Sequence, residues 1–320
     1  MQCKKTSVAG RAGFTLLEIL VVISIIILLI SIGGMVISNS IAQARERATL
    51  ALLIKLDGML QQRLDGFNTL ISKPQRRTEM QTTGLKSLEA DLRNKNIIGL
   101  PTATKMLMVR KEYFRNAFPQ TQTDNSSLSY FSGNDTNPAE SAEYLYWILT
   151  KSDSFGVASV DDSEFSAAEL RDTDGDGRLE FVDAWGNPLR FYRWPTRLLR
   201  PGGPGSNIQS NVAGMLISGL PDASELQQDA DDVVGVYDVA IESGIITGEQ
   251  FEEMYHTPDT YSIPLIVSAG ADGRLPGGLG LFEPNDSANF GHLAQPLPAV
   301  LSDPGASALN DNLTNRQKQK

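Results

Sequence analysis

Gly13-Phe14-Thr15-Leu16-Leu17-Glu18 opens an apolar run that continues to Ile37. From Phe14 to Ile37 there are 24 residues, and Glu18 is the only charged one. As a helix rising 1.5 Å per residue the run measures about 36 Å, enough to cross a hydrocarbon core of roughly 30 Å with some tilt. A carboxylate within such a run costs on the order of 2.5–3.5 kcal/mol at mid-bilayer and less near an end, so Glu18 requires a compensating partner. Before the run, Lys4, Lys5 and Arg11 favour a cytoplasmic N-terminus and place the body on the other side. A secretory signal peptide would have a shorter apolar region followed by a small-residue cleavage site, and Ser31-Ile32-Gly33-Gly34 is a poor one. An ordinary signal anchor fits the length but gives no reason for Glu18.

A short basic leader ending in Gly13, then Phe14-Thr15-Leu16-Leu17-Glu18 and an apolar helix, resembles the class III signal of type IV pilins and type II secretion pseudopilins. The resemblance implies that a prepilin peptidase cuts between Gly13 and Phe14 and methylates the new N-terminus at Phe14. It also implies that Glu18, the fifth mature residue, pairs with the N-terminal amine of a neighbouring subunit. An opposite charge there would supply the missing compensation.

Composition bounds the rest. A chain of 320 residues holds one large or two small domains. Net charge is -10, and removing Lys4, Lys5 and Arg11 leaves 25 basic against 38 acidic residues, or -13. Such an acidic body argues against a nucleic-acid partner and suits cation binding or simple solubility. The single cysteine, Cys3, lies in the leader, so the processed chain would contain no disulfide. With His256 and His292 as the only histidines, a His-based zinc site or triad has little material, and the expectation is a protein that is not an enzyme.

Beyond Ile37 the helical period continues through Ile41, Ala44, Ala48, Leu52, Leu56, Leu60 and Phe67, with Arg45, Glu46, Arg47, Lys55 and Arg63 between them. This predicts one helix of about 50 residues, apolar all round in residues 14–37 and amphipathic in 38–73, ended at the latest by Pro74. Two helices hinged at Gly33-Gly34 are the alternative. Leu85 to Leu92 reads as a short helix, and Thr121 to Ala139 as a surface loop. Glu143 to Leu149 suits a buried helix better than a strand, because Pro138 to Glu143 forms a fair helix start; its aromatics read as core.

The segment Asp172-Thr173-Asp174-Gly175-Asp176-Gly177-Arg178-Leu179-Glu180-Phe181-Val182-Asp183 has the spacing of a twelve-residue calcium loop. Asp172, Asp174 and Asp176 fall at positions 1, 3 and 5, Gly177 at the sharp turn, and Arg178 offers its carbonyl at position 7. Glu180 and Asp183 take positions 9 and 12. The final residue of such loops is usually a bidentate Glu, and no second helix follows, so a half-motif of modest affinity stands beside a solvated acidic turn. Overlapping it, Asp183-Ala184-Trp185-Gly186-Asn187-Pro188 resembles a motif of the major pseudopilin, with Ala184 where the family has a first proline. Physically it is a tight turn clipped onto a buried indole, feeding a strand over Leu189 to Trp194. Asp183 cannot serve both turn and metal freely, and the sequence leaves that conflict open.

Pro201 to Thr257 reads as an insertion, in which Met215 to Leu220 and Val233 to Ile246 look like short strands or helices. Tyr261 to Ser268 reads as a strand, leading into Ala269-Gly270-Ala271-Asp272-Gly273. This again resembles the major pseudopilin, and the resemblance makes Ser268, Asp272 and Asp286 candidate calcium ligands around Pro276 to Gly280; a metal-free Gly-rich hairpin is the alternative. Residues 295–320 read as a disordered tail.

Together these readings predict an α+β, pilin-like fold: a long N-terminal helix, transmembrane then amphipathic, packed on an antiparallel β-sheet. Its segments are a leader (1–13), a membrane or filament-core helix (14–37), its amphipathic half (38–73) and a globular domain (74–294). The implied function is a structural subunit of a type II secretion pseudopilus or related filament, stabilised by calcium. The implied location is the inner membrane, single-pass, with the C-terminal domain extracytoplasmic. Partners would be the prepilin peptidase, other pseudopilins or pilins, and an inner-membrane assembly platform. A membrane-anchored calcium-binding or adhesive module that does not polymerise is the alternative.

Overall fold

The computed structural model describes residues 15–124, 137, 139–152, 155–195, 232, 235–247, 250, 255, 264–273, 281–289, 291–294, 297 and 311–316, with the side chains of 31–38, 237, 238, 287 and 292 outside that set. The chain divides into two units, residues 1–45 and 46–320. Helix α1, Leu16–Ser72, runs unbroken through both, so the backbone passes Gly33-Gly34 as helix rather than as a hinge. It ends where expected: Lys73 is extended, as a residue before proline prefers, and Pro74 opens α2, Pro74–Glu79, at its first turn.

In the first unit, the side chains from Leu16 to Ile30 are exposed on every face, Leu16 at 84% and Ile30 at 69%. Among the described residues no helix is long and apolar enough to cross a membrane. The described apolar stretch Leu16–Ile30 would span only about 22 Å, and the side chains of 31–38 are not described.

In the second unit α1 supplies one wall of the core. Leu52, Leu53, Leu56, Leu60, Phe67 and Ile71 are buried, close to the predicted stripe. The stripe starts later than expected, since Ile41, Ala44 and Ala48 are exposed. Arg63, expected among the polar positions, is 1% exposed. Its guanidinium donates to the carbonyls of Leu149 (3.1 Å), Val157 (2.6 Å) and Ala158 (2.9 Å). The fixed fork of donors thereby ties three carbonyls distant in sequence to α1, that of Leu149 also accepting from Val160 N at 2.9 Å. Phe67 is the aromatic hub, edge-on to Phe114, Phe118 and Phe155, while Trp194 stacks on Phe114.

After α2, a wide π-type turn at Met80–Gly84 leads into α3, Leu85–Asn94, where a helix was predicted. Helix α4, Thr102–Ala117, packs on α3. Helix α5, Glu140–Tyr146, continues as a second π-type turn, Trp147–Lys151, so the helical reading of this stretch holds and its aromatics Tyr144 and Tyr146 are core. Every residue of α5 is buried, Glu140 and Glu143 included.

The strands are short. β1, Leu170–Arg171, and β2, Glu180–Phe181, form an antiparallel pair with Leu170 opposite Phe181. β3, Arg190–Tyr192, pairs antiparallel with β4, Leu265–Ser268, and β4 with β5, Leu313–Thr314. Helix α6, Val236–Glu242, lies between β3 and β4 in the chain, so that part of the expected insertion is helical. Most of 201–257 lies outside the described residues, Met215 to Leu220 included. Within 295–320, read as a disordered tail, residues 311–316 are ordered: β5 pairs with β4, and Asn315 donates to Asp57 of α1 at 2.8 Å, while 295–296, 298–310 and 317–320 lie outside the described residues. The protein is therefore α+β, with helices and small antiparallel sheets around one core.

Candidate functional site

The hairpin β1–β2 carries the acidic loop. Its eight loop residues, 172–179, join two strands rather than two helices, so the EF-hand frame is absent although its turn chemistry is present. Gly175 and Gly177 sit at φ +80° and +90°, left-handed values that only glycine adopts without strain. The carboxylates brace this path. Asp172 accepts the N–H of Gly175 (2.7 Å) and of Gly177 (3.0 Å), Asp174 that of Asp176 (3.2 Å), and Asp176 that of Arg178 (2.7 Å). From β2, Glu180 Oε1 accepts the N–H of Thr173 at 2.6 Å. Glu180 Oε2 is buried and has no hydrogen-bond partner among the described residues.

Two carboxyls of this loop are driven in opposite directions. Desolvation works against ionisation of Asp172, but the N–H bonds from Gly175 and Gly177 outweigh it and hold its carboxyl below the usual range. Burial pushes the Glu180 carboxyl up to about 7, against the pull of the Thr173 bond, and the charges of Asp174 and Asp172 push the same way.

Across from the loop stands a residue the sequence reading passed over. Glu143 of α5, with its side chain fully buried, brings a carboxylate to Asp174 and Asp176, and oxygens of the three lie within 4.8 Å of one another. Arg178 sits beside them, its Nε 2.7 Å from Glu143 and its guanidinium against Asp176. Asn137 donates to Asp174. A glutamate at the head of a stretch that reads as a buried helix is itself a signal, because a buried carboxylate needs a cation or donors.

Asp183 is not at this cluster. Its carboxylate accepts from Trp185 N and Asn187 N, both at 2.9 Å, from Asn187 Nδ2 at 3.4 Å, and from the Ser268 hydroxyl at 2.8 Å. Gly186, at φ +92°, closes the turn by donating to the Asp183 carbonyl. The geometry thus gives Asp183 to the Trp-Gly-Asn-Pro turn and removes it from position 12 of a metal loop. The turn clips α1 rather than an indole: Ala184 N donates to Thr49 at 3.1 Å, Trp185 is only half-buried, and the fully buried indole is Trp194.

The C-terminal candidates are dispersed. Ser268 is fully buried and spends its hydroxyl on Asp183 and Gly270 N. The Asp272 N–H meets the Asp311 carboxylate at 3.0 Å, in the approach to β5. Asp286 accepts from Asn289 instead. Among the described residues these three form no cluster of metal-ligating groups, and residues 274–280 lie outside the described set.

At the other end, Gly13 and Phe14 lie outside the described residues, while Glu18 has a partner that the sequence reading missed. Glu18 Oε2 accepts from Thr15 N (2.8 Å) and the Thr15 hydroxyl (2.9 Å), while Glu18 N donates back to that hydroxyl (3.2 Å). This is a capping box, whose signature Thr-x-x-Glu is present in the sequence. A cleft of about 550 Å³ between α3 and α4, lined by Asp91, Glu112, Tyr113, Arg115 and Tyr255, contains none of the predicted site residues. Comparison with family models, with curated proteins and with solved structures finds no match for this chain.

Proposed function

We propose that this protein is a structural subunit of a type II secretion pseudopilus or related type IV pilus-like filament, anchored by its N-terminal helix and stabilised by calcium. The observation that carries the reading is α1 itself. One continuous helix, Leu16–Ser72, begins with apolar side chains exposed on all faces and ends with a stripe buried in the body. An all-round apolar helix needs lipid or other helices around it, and both are supplied in a filament that assembles from the membrane. The Gly13 to Glu18 motif adds processing by a prepilin peptidase, N-methylation at Phe14 and an inner-membrane assembly platform to the proposal. In the pseudopilin fold this would be an enlarged body on a transmembrane helix.

Glu18 then has two possible duties, capping its own helix and setting the register of a neighbour, and one substitution separates them. Glu18→Gln keeps a capping-box side chain but removes the charge. The proposal predicts normal cleavage after Gly13 and impaired incorporation into filaments, read by crosslinking of membrane fractions. Wild-type incorporation of Glu18→Gln would reduce Glu18 to a helix cap. The acidic hairpin also suits a calcium-binding anchor that never polymerises, and an uncleaved chain with Met1 at its start would favour that reading.

A further inference from the structure

Helices α2 to α4 carry a charge opposite to that of the chain. Residues 73–117 hold ten Lys and Arg against four Asp and Glu, a net of +6, whereas the whole chain stands at -10, so the remainder carries -16. Some of these cations are spent inside the body: Lys105 pairs with Glu89, and Arg115 with Glu112. Lys73, Arg77, Lys86 and Arg93 are not. All four are exposed, and none forms an ion pair or a side-chain hydrogen bond among the described residues. Lys86 and Arg93 lie seven residues apart on α3, on the side opposite its buried Leu88 and Leu92. Arg77 and Arg110 line one groove of about 490 Å³ with Ile71, Met80 and Leu107. Just past α3, Ile98 is 72% exposed, an apolar anchor beside the cations.

We infer that this basic face docks a second copy of the chain, and that it receives the acidic stretch Asp161–Glu169 of that copy. Charge complementarity chooses the occupant. A nucleic acid or an anionic bilayer would meet the remainder at -16 as well as the face at +6, whereas a second copy brings its own carboxylates to the cations. Within the acidic hairpin most carboxylates are already engaged: Asp172 by Gly175 and Gly177, Asp174 by Asn137, Asp176 by Arg178 and Asp162 by Lys151. Asp161 and Glu164 are exposed and form no ion pair among the described residues. Lys55 donates to the Glu164 carbonyl, which fixes the backbone there and leaves the carboxylate in solvent. A basic face that meets a different, acidic face makes a heterologous contact. Such a contact propagates from copy to copy instead of closing a two-fold dimer.

The docking rests on the filament reading for its setting, and its test keeps the two apart. Unlabelled and heavy-isotope-labelled full chains are mixed in detergent micelles and treated with a carbodiimide, which joins a lysine directly to a carboxylate it touches. Peptides that combine the two isotopes should link Lys73 or Lys86 to Asp161 or Glu164. The Lys151–Asp162 pair, at 2.6 Å, should link within one isotope and serves as the internal standard. Added salt should suppress the mixed-isotope links and spare that standard, because exposed charges are screened within about 10 Å at ~0.1 M. Lys86→Glu with Arg93→Glu should cut the mixed-isotope yield from Lys73 about tenfold, since like charges then face each other. Mixing that variant with Asp161→Lys, Glu164→Lys should restore links, now between the substituted positions. All four positions are exposed, so the variants retain the fold. Glu18→Gln should keep the mixed-isotope links even where it fails to enter filaments, which separates a failed filament reading from a failed docking face. Mixed-isotope links that are absent or avoid residues 73–117, or wild-type yield in Lys86→Glu with Arg93→Glu, would overturn the assignment. So would binding to anionic vesicles that this variant abolishes while its links persist, which would make the face a lipid site.

Discussion

Asp183→Ala is the perturbation that most sharply separates a structural carboxylate from a metal ligand. In the structure four donors converge on the Asp183 side chain: Trp185 N, Asn187 N, Asn187 Nδ2 and Ser268 Oγ. A hydrogen bond to a charged group contributes about 1.5–3 kcal/mol, and the bonds are not additive because all share one acceptor group. Truncation also leaves the Ser268 hydroxyl, fully buried, with one acceptor fewer and loosens the clip of Ala184 on Thr49. A total loss of about 3–5 kcal/mol is expected, the scale of breaking a buried charged partner. For a body of this size that lowers Tm by on the order of 10 °C. The assay is thermal melting of full-length wild type and variant in detergent, once with calcium and once with chelator. The same loss should appear in both conditions. A loss confined to the calcium arm would show that Asp183 is a ligand after all, and the separation of turn from metal loop would be refuted.

Other parts of the structure make equally specific predictions. Arg63→Met keeps the apolar stem and removes the donors to Leu149, Val157 and Ala158, so it should cost about 2–4 kcal/mol in denaturant unfolding; a cost under ~0.5 kcal/mol would mean water replaces the guanidinium freely. Gly177→Ala and Gly270→Ala should differ: both glycines have positive φ, worth about 1–2 kcal/mol, but a Cβ at Gly270 also runs into the Asp311 carbonyl, whereas Gly177 faces open space. Gly270→Ala should therefore melt lower and expose the segment after residue 310 to proteolysis, and equal melting of the two would contradict the packing of β5. Burial opposes ionisation of Asp124, but the Arg193 ion pair at 2.8 Å, Arg115 and the Gln120 N–H outweigh it and hold its carboxyl below the usual range. Its contribution is then fully present above the unfolded value of about 4 and is lost as pH falls through the lowered folded value. Asp124→Asn should flatten the acid limb of a stability–pH curve, and an unchanged limb would remove Asp124 from the account.

What could be read from the sequence was what local pattern determines. The period of α1, its stop before Pro74, the strands of Arg190–Tyr192 and Leu265–Ser268, and the buried helix at Glu143 all follow from residue type and spacing. What could not be read depends on partners distant in sequence. Leu313–Thr314 has no strand signature of its own and becomes β5 only because β4 offers an edge. Arg63 looks solvated on a helical wheel, and its burial depends on carbonyls 86 to 95 residues away. The conflict over Asp183 is decided by Ser268, 85 residues further on. Glu143 and Glu180 were legible as charged residues in apolar settings, but their approach to one loop comes from α5 packing on β2. Thr15 and Glu18 form the one local device that the spacing displayed and the membrane reading obscured.

The central claim is that the chain is cut before its apolar helix and enters a filament through it. Intact and N-terminal peptide mass spectrometry of protein purified from membranes tests this most directly. The account predicts a chain starting at N-methylated Phe14, with the helix that begins at Leu16 retained. A chain starting at Met1, or one cut after Ile37 with the helix lost, would contradict it.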